Sequence, residues 1–383
     1  MTQSKEIRWV RLGEFVIVCD EANKKNLDLP VMGLNKDKQM MPTVANLDGV
    51  NLSKYKLVDK GTFVFSGMQT GRDVCIRIVL ASNDKPVLVS PAYTTFRVSE
   101  TKKILAEYLF LWFDRTESDR LGWFISDSSV RSNLDWPRFL DIKIPVPYKD
   151  GEPDVERQQE VVDIWQGLRR LKEENEAIAQ PLLNLCQAKM DELKHSEPMV
   201  ELGEYITLFE ISNSNNEDLL VMGLNKEKQF MPTVANTDGI RLNKYKLIEK
   251  GVYAFSGMQT GRDLSIRIAY NGIDRRFLIS PAYTTFKVKH EQLLPEFVYL
   301  WFKRRETDRL GWFYSDSSVR SNLDWSRFCS IKIPKPSIEV QRAIVDIYRC
   351  AREAKSIAEE ATQQLKSICP ALMQHIIHSS YES

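Results

Sequence analysis

The chain says nearly the same thing twice, and that repetition limits what it can fold into. Residues 31–78 read VMGLNKDKQMMPTVAN…SGMQTGRDVCIRI, and 190 positions later residues 221–268 read VMGLNKEKQFMPTVAN…SGMQTGRDLSIRI. SPAYTTF recurs at 90–96 and 280–286, and SDSSVRSNLDW at 126–136 and 315–325. Solenoid repeats have periods of roughly 20–50 residues, so each copy here must be a domain with its own core. Two like domains imply two like sites.

The 383-residue length agrees with two domains. With 43% hydrophobic and 27% charged residues, the composition is that of an ordinary globular protein. The formal net charge is +1, so no global positive excess draws the chain to phosphate; a nucleic-acid surface would need locally clustered cations. Six cysteines form no CxxC pair, and Cys75 and Cys329 face Ser265 and Leu140 in the other copy. A duplicated metal site or disulfide would keep its ligands in both copies, so buried, reduced thiols are expected. The first ten residues contain no apolar signal core and no run approaches a membrane span, which predicts a cytoplasmic protein.

The chain order is domain, helix, domain, helix: residues 1–150, 151–197, 198–336 and 337–383. Short runs rich in Val, Ile, Phe and Thr (61–65, 75–80, 87–89, 94–98), bounded by Gly, Asn, Asp and Pro, predict strands. Residues 104–114 predict a helix, and the whole an α+β domain around a largely antiparallel sheet. Each domain exits through a proline-marked segment (IPVP, IPKP) into about forty residues with apolar positions at three- and four-residue steps. The two stretches align without a gap at an offset of 183, pairing Gln158 with Gln341 and Met190 with Met373. They predict two long helices, each on the order of 60 Å, pairing as an antiparallel coiled coil about a pseudo-twofold axis. Pro181 and Pro370 should kink or weaken them.

Signs of catalysis are missing. The sequence has no [ND]PP[FY] loop, no glycine-rich turn for S-adenosylmethionine and no GxxxxGK[ST] nucleotide cradle. His195, His290, His375 and His378 lack ligand spacing, and His195 and His378 suit helix ends instead. No metal or catalytic set is predicted.

Contact candidates are all duplicated. SGMQTGRD offers Gln69, Thr70 and Arg72, with Gln259, Thr260 and Arg262 in the second copy. A glutamine amide suits an adenine edge, and an arginine fork suits guanine or phosphate. An arginine engaged only with Asp73 is the structural alternative. SDSSVRSNLDW offers Ser128, Arg131 and Asn133, matched by Ser317, Arg320 and Asn322, ahead of an expected helix start. Hydroxyls and amides there make a phosphate seat, or Asn133 or Asp135 simply caps the helix. Tyr93 and Tyr283 are the aromatics placed nearest the surface; Trp112, Trp123 and Trp136 are expected in the core. Lys36 and Lys38, with Lys226 and Lys228, complete the set.

The SGMQTGRD and SPAYTTF segments, the IPVP and IPKP exits and the glutamine-bearing helices (ERQQEVVDIW, EVQRAIVDIY) together resemble the specificity subunit of Type I restriction-modification systems, over almost the whole chain. That resemblance implies two target recognition domains on an antiparallel helical spacer. It also implies double-stranded DNA, two methyltransferase subunits and, in the nuclease form, two restriction subunits as partners, with S-adenosylmethionine held by the methyltransferase and no cofactor here. Such subunits commonly carry dissimilar recognition domains. Matching copies predict an interrupted palindromic target instead. The rival readings are a scaffold presenting two protein- or peptide-binding domains, and a nuclease with a site the sequence hides.

Overall fold

The structure, a computed structural model, describes residues 5–378 apart from positions 128, 131, 237, 238, 259, 290, 317 and 320, and omits the side chains of Cys369 and His378. The chain divides into two α+β units, Met1–Glu173 with Ile357–Ser383, and Glu174–Ser356. Both long helices are therefore shared out, each giving one end to either unit.

In the first unit an antiparallel sheet runs in the order Val16–Val18, Thr94–Val98, Phe63–Ser66, Arg77–Leu80. A second runs Met40–Pro42, Val31–Leu34, Val87–Val89, Lys56–Val58, and its Val31–Leu34 and Val87–Val89 strands are parallel. The expected single sheet is thus two four-stranded sheets, with a third, smaller one in which Lys143–Lys149 pairs with Lys5–Arg11 and Glu152–Pro153. Alternation along Phe63–Ser66 explains why both are needed. Phe63 and Phe65 enter the main core, with Ile78, Phe96 and Phe139, whereas Val64 enters a smaller core with Val58, Val79 and Val89. A strand buried on both faces must be covered on both. The second unit repeats this, with Tyr253 and Phe255 facing its main core and Val252 and Ala254 its smaller one.

Helix Ala106–Phe113 buries every residue from Tyr108 to Phe113. A further helix, Thr116–Ile125, shows no apolar period in sequence, because TESDRLGWFI puts its polar residues in the first half and its apolar ones in the second, with a glycine between. Its fit depends on Gly122: a Cβ there would lie 2.4 Å from the Ile76 side chain, so only glycine lets this helix approach so closely.

The long helices are Val155–Ser196 (42 residues) and Ile338–His378 (41 residues), and neither ends at its internal proline. A proline removes one intrahelical bond, while the turns on either side are retained. In the first unit Val161, Val162 and Trp165, from the start of the first long helix, share the main core with Met373 and Ile376, from the end of the second. In the second unit Ile344 and Val345 share the core with Cys186, Met190 and Leu193. Start meeting end is the packing of an antiparallel pair. Glutamines fasten helix to head: buried Gln158 accepts from the Leu105 amide (3.0 Å) and donates to the Lys103 carbonyl (3.0 Å). Gln341 accepts from the Leu294 amide (2.8 Å) and donates to the Gln292 and Pro336 carbonyls (each 2.9 Å). No described helix is long and apolar enough to cross a membrane.

Among the described cysteines, Cys75 and Cys186 are buried as expected, but Cys350 is exposed on the polar side of its helix, so burial is not general.

Candidate nucleic-acid interface

SGMQTGRD leads from strand Phe63–Ser66 into a single helical turn, Thr70–Asp73, before strand Arg77–Leu80. Gln69 and Val74, on either side of that turn, both take left-handed backbone conformations (φ 61° and 48°). Glutamine and a β-branched valine enter that region only under constraint. The constraint comes from the second motif. The Gly71 amide donates to the Ser132 carbonyl (2.8 Å), the Leu134 amide to the Gly67 carbonyl (2.8 Å), and the Gln69 amide to Asn133 Oδ1 (3.0 Å). Both glycines are needed for this close approach. A Cβ on Gly67 would sit 1.7 Å from the Leu134 carbonyl oxygen, and one on Gly71 2.2 Å from the Ser132 Cβ. The two motifs therefore form one platform. In the second unit Gly261 meets Ser321 (2.9 Å) and Leu323 meets Gly257 (2.8 Å) in the same way.

Charge on the platform centres on Asp73, whose carboxylate is 5% exposed. Arg77 pairs with it, Lys36 lies at 3.3 Å and Arg72 at 3.6 Å. Burial acts to raise this carboxyl, but hydrogen bonds and charge from Lys36 and Arg77 outweigh it and hold the group below the ordinary carboxylate value. Asp263 repeats the arrangement with Arg267, Lys226 (3.6 Å) and Arg262 (3.4 Å), and its carboxyl is likewise lowered against the effect of burial. Arg72 and Arg262 remain about 60% exposed, with side chains of 63% and 60%. One buried anion thus anchors several cations and leaves their outer faces in solvent.

The structure brings Lys36, Gln69, Arg72 and Asn133 together here, as it does Lys226 and Arg262 in the second unit, where Asn322 stands between Ser321 and Leu323, which meet Gly261 and Gly257. Ser128, Arg131, Gln259, Ser317 and Arg320 lie outside the described residues. Four expected contacts are corrected. Lys38 is buried, its ammonium 2.8 Å from Asp119, which also accepts from the Ile76 amide (2.9 Å). Lys228 is buried against Asp308 at 2.7 Å. Both lysines brace the fold from within. Thr70 and Thr260 are fully buried, their hydroxyls donating to the Gly67 and Gly257 carbonyls. Tyr93 and Tyr283 are half-buried against the smaller cores. Asp135 caps helix Trp136–Leu140 by accepting from the Arg138 amide (2.9 Å), as the structural alternative for this segment expects, while Ser128 and Arg131 of the phosphate seat lie outside the described residues.

Sequence reasoning missed the apolar part of the platform. Trp123 is 55% exposed and Phe124 85%, with Met68, Val74 and Val130 exposed too. The Trp123 ring lies over Gly71, 3.2 Å from where a Cβ would be. Trp312, Phe313, Met258, Leu264 and Val319 repeat the pattern. Hydrophobicity placed Trp123 in the core; duplication of an exposed apolar set was the available sign that it belongs to a surface. Among the described residues, no three His, Cys, Asp or Glu side chains gather as a metal site.

The fold is that of the specificity subunits of Type I restriction-modification systems. A solved structure sharing it is the Type I restriction-modification S subunit from M. genitalium, with a TM-score of 0.59 at 13% identity, covering 98% of this chain and 96% of that one. The HsdS subunit from Thermoanaerobacter tengcongensis also aligns, with a TM-score of 0.40 at 15% identity over 98% and 97% of the two chains. No protein-family model matches the sequence, and no curated protein matches it.

Proposed function

We propose that the chain is a non-catalytic DNA specificity subunit that reads two like half-sites, one with each unit, and positions partner methyltransferase and restriction subunits over them. The observation that carries this reading is the duplicated platform: a glycine-dependent junction of two loops presenting Gln69, Arg72, Lys36 and exposed aromatics, rebuilt in the second copy. Cations for phosphate, an amide and a guanidinium for base edges, and aromatic surface are what groove contact uses. The clustering also answers the charge objection, because near-neutral totals conceal a local positive rim. The chemistry of methyl transfer, with S-adenosylmethionine, belongs to the partner subunit on this reading. Like readers facing like half-sites in opposite sense give an interrupted palindrome as the target.

The test is methylation mapping in cells expressing the chain with its methyltransferase, combined with binding of the cognate duplex. The expected site carries the same bases inverted in its two halves; two unrelated half-sites would sink the palindrome. Joint replacement Arg72→Ala and Arg262→Ala is expected to weaken cognate binding by about 1–3 kcal/mol per lost bidentate contact, with folding intact. Binding should also fall steeply with salt. Salt-independent association with other proteins, and none with duplex DNA, would favour the protein-binding scaffold.

A further inference from the structure

The two units match loop for loop, but the first carries an aromatic residue, Trp9, where the second has Met199. Strand Lys5–Arg11 pairs Trp9 with Pro145, and in the same register of the second unit Met199 pairs with Pro334. In the first unit the Trp9 indole stands edge-on to Trp112, 5.6 Å between centroids at 77°, with the Arg115 guanidinium 3.8 Å from the Trp112 ring. In the second unit the equivalent Trp301 keeps its arginine, Arg304, at 4.2 Å. Methionine, however, cannot replace an indole's breadth. A cavity of about 730 Å³ lies there instead, bordered by Met199, Trp301, Arg304, Trp312 and Phe313. This lies within the range of small-molecule sites, roughly 300–1,000 Å³.

Trp301 Nε1 and Arg304 Nε lie beneath this lining, closed off from it, and like Trp112 Nε1 in the first unit they have no hydrogen-bond partner. Lys194, Arg309 and Lys332 stand exposed on its border, and none makes an ion pair among the described residues. Glu306, the acid among the lining residues, faces Arg304 at 3.6 Å.

We propose that the second unit carries a binding pocket for a planar aromatic group bearing negative charge, which takes the place that Trp9 fills in the first unit. Stacking against Trp301 supplies affinity for the ring, and Lys194, Lys332 and Arg309 hold the charge. The pocket shares Trp312 and Phe313 with the platform of the second unit, but the proposal does not rest on that platform reading DNA.

The probe is 1-anilinonaphthalene-8-sulfonate, titrated by fluorescence into the full-length chain under native conditions. One equivalent is expected to bind. Met199→Trp, which copies the first unit, is expected to weaken binding about tenfold or more. The double change Arg309→Glu and Lys332→Glu, on exposed side chains, should weaken it while leaving the melting temperature in place. Trp9→Met should add a second equivalent. AMP and indole-3-acetate as competitors distinguish a nucleotide from a non-nucleotide ligand, and displacement by either supports the pocket. Undiminished binding to folded Met199→Trp, or displacement by neither competitor, would overturn it.

Discussion

Asp73 shows how one buried carboxylate orders a surface that must stay cationic. Its folded-state value is depressed, because Lys36 and Arg77 overcome the effect of burial, and Asp263 behaves alike. For a depressed carboxyl, the stabilisation is fully present above the ordinary carboxylate value and is lost as pH falls through the lower folded-state value. The joint variant Asp73→Asn and Asp263→Asn is therefore expected to be less stable at pH 7, by about 1–3 kcal/mol for each carboxylate replaced, the cations around it being partly solvated. The difference from the parent should close as the pH is taken below about 4. Urea unfolding at a series of pH values measures this, and a constant difference down to pH 2–3 would remove Asp73 as the anchor. Part of this residue-scale picture was legible in the sequence. Duplicated glycines marked a tight loop, and Asp73 was named as the partner Arg72 would take. The identity of the loop packed on Gly67 and Gly71 was not, because Leu134 and Ser132 lie some sixty residues further on. Nor was the fate of Lys38, since a lysine in a polar turn reads as solvated until Asp119 is brought to it.

At the scale of elements, long helices announced themselves and short strands did not. A three- or four-residue apolar step sustained over forty residues has few alternatives, whereas Met40–Pro42 or Lys56–Val58 is too short to show a period. The parallel pairing of Val31–Leu34 with Val87–Val89 joins segments more than fifty residues apart, which no local pattern encodes. Gln158 and Gln341 show what fixes a helix to its head. Each supplies an acceptor to the first free amide of a head helix, whose N-cap residue, Leu105 or Leu294, has no capping side chain of its own. Replacement by leucine keeps the bulk and orphans these buried groups. Gln158→Leu is expected to cost about 1–3 kcal/mol for each partner left unpaired, and Gln341→Leu more, because it satisfies three groups rather than two. Amide exchange at Leu105 and Leu294 should rise with the loss. Exchange that stays slow, with stability unchanged, would show that the helices dock by apolar packing alone.

For the whole molecule, the main consequence is that neither half of the sequence completes its own unit. The core of the first unit includes Met373 (0% exposed) and Ile376 (1%) from the far end of the chain. Their counterparts at the offset of 183 are Met190 (1%) and Leu193 (8%), which close the core of the second unit. A fragment of residues 1–197 therefore has a head that lacks its closing helix end and a helix end that lacks its head. The fragment cannot satisfy itself. Val161 and Met190 lie on one continuous helix, so the Met190 end cannot fold back onto the core beside Val161 without breaking that helix. A second copy can supply it, and because the copies are alike the exchange is reciprocal, which closes a symmetric dimer. The fragment is expected to sediment as a dimer whose stability rises with protein concentration. Met190→Asp, which puts an unpaired charge into each completed core, should abolish the dimer and leave a head of lowered stability. A fragment that is monomeric and as stable as the full chain would mean that the shared helix ends contribute little to either core.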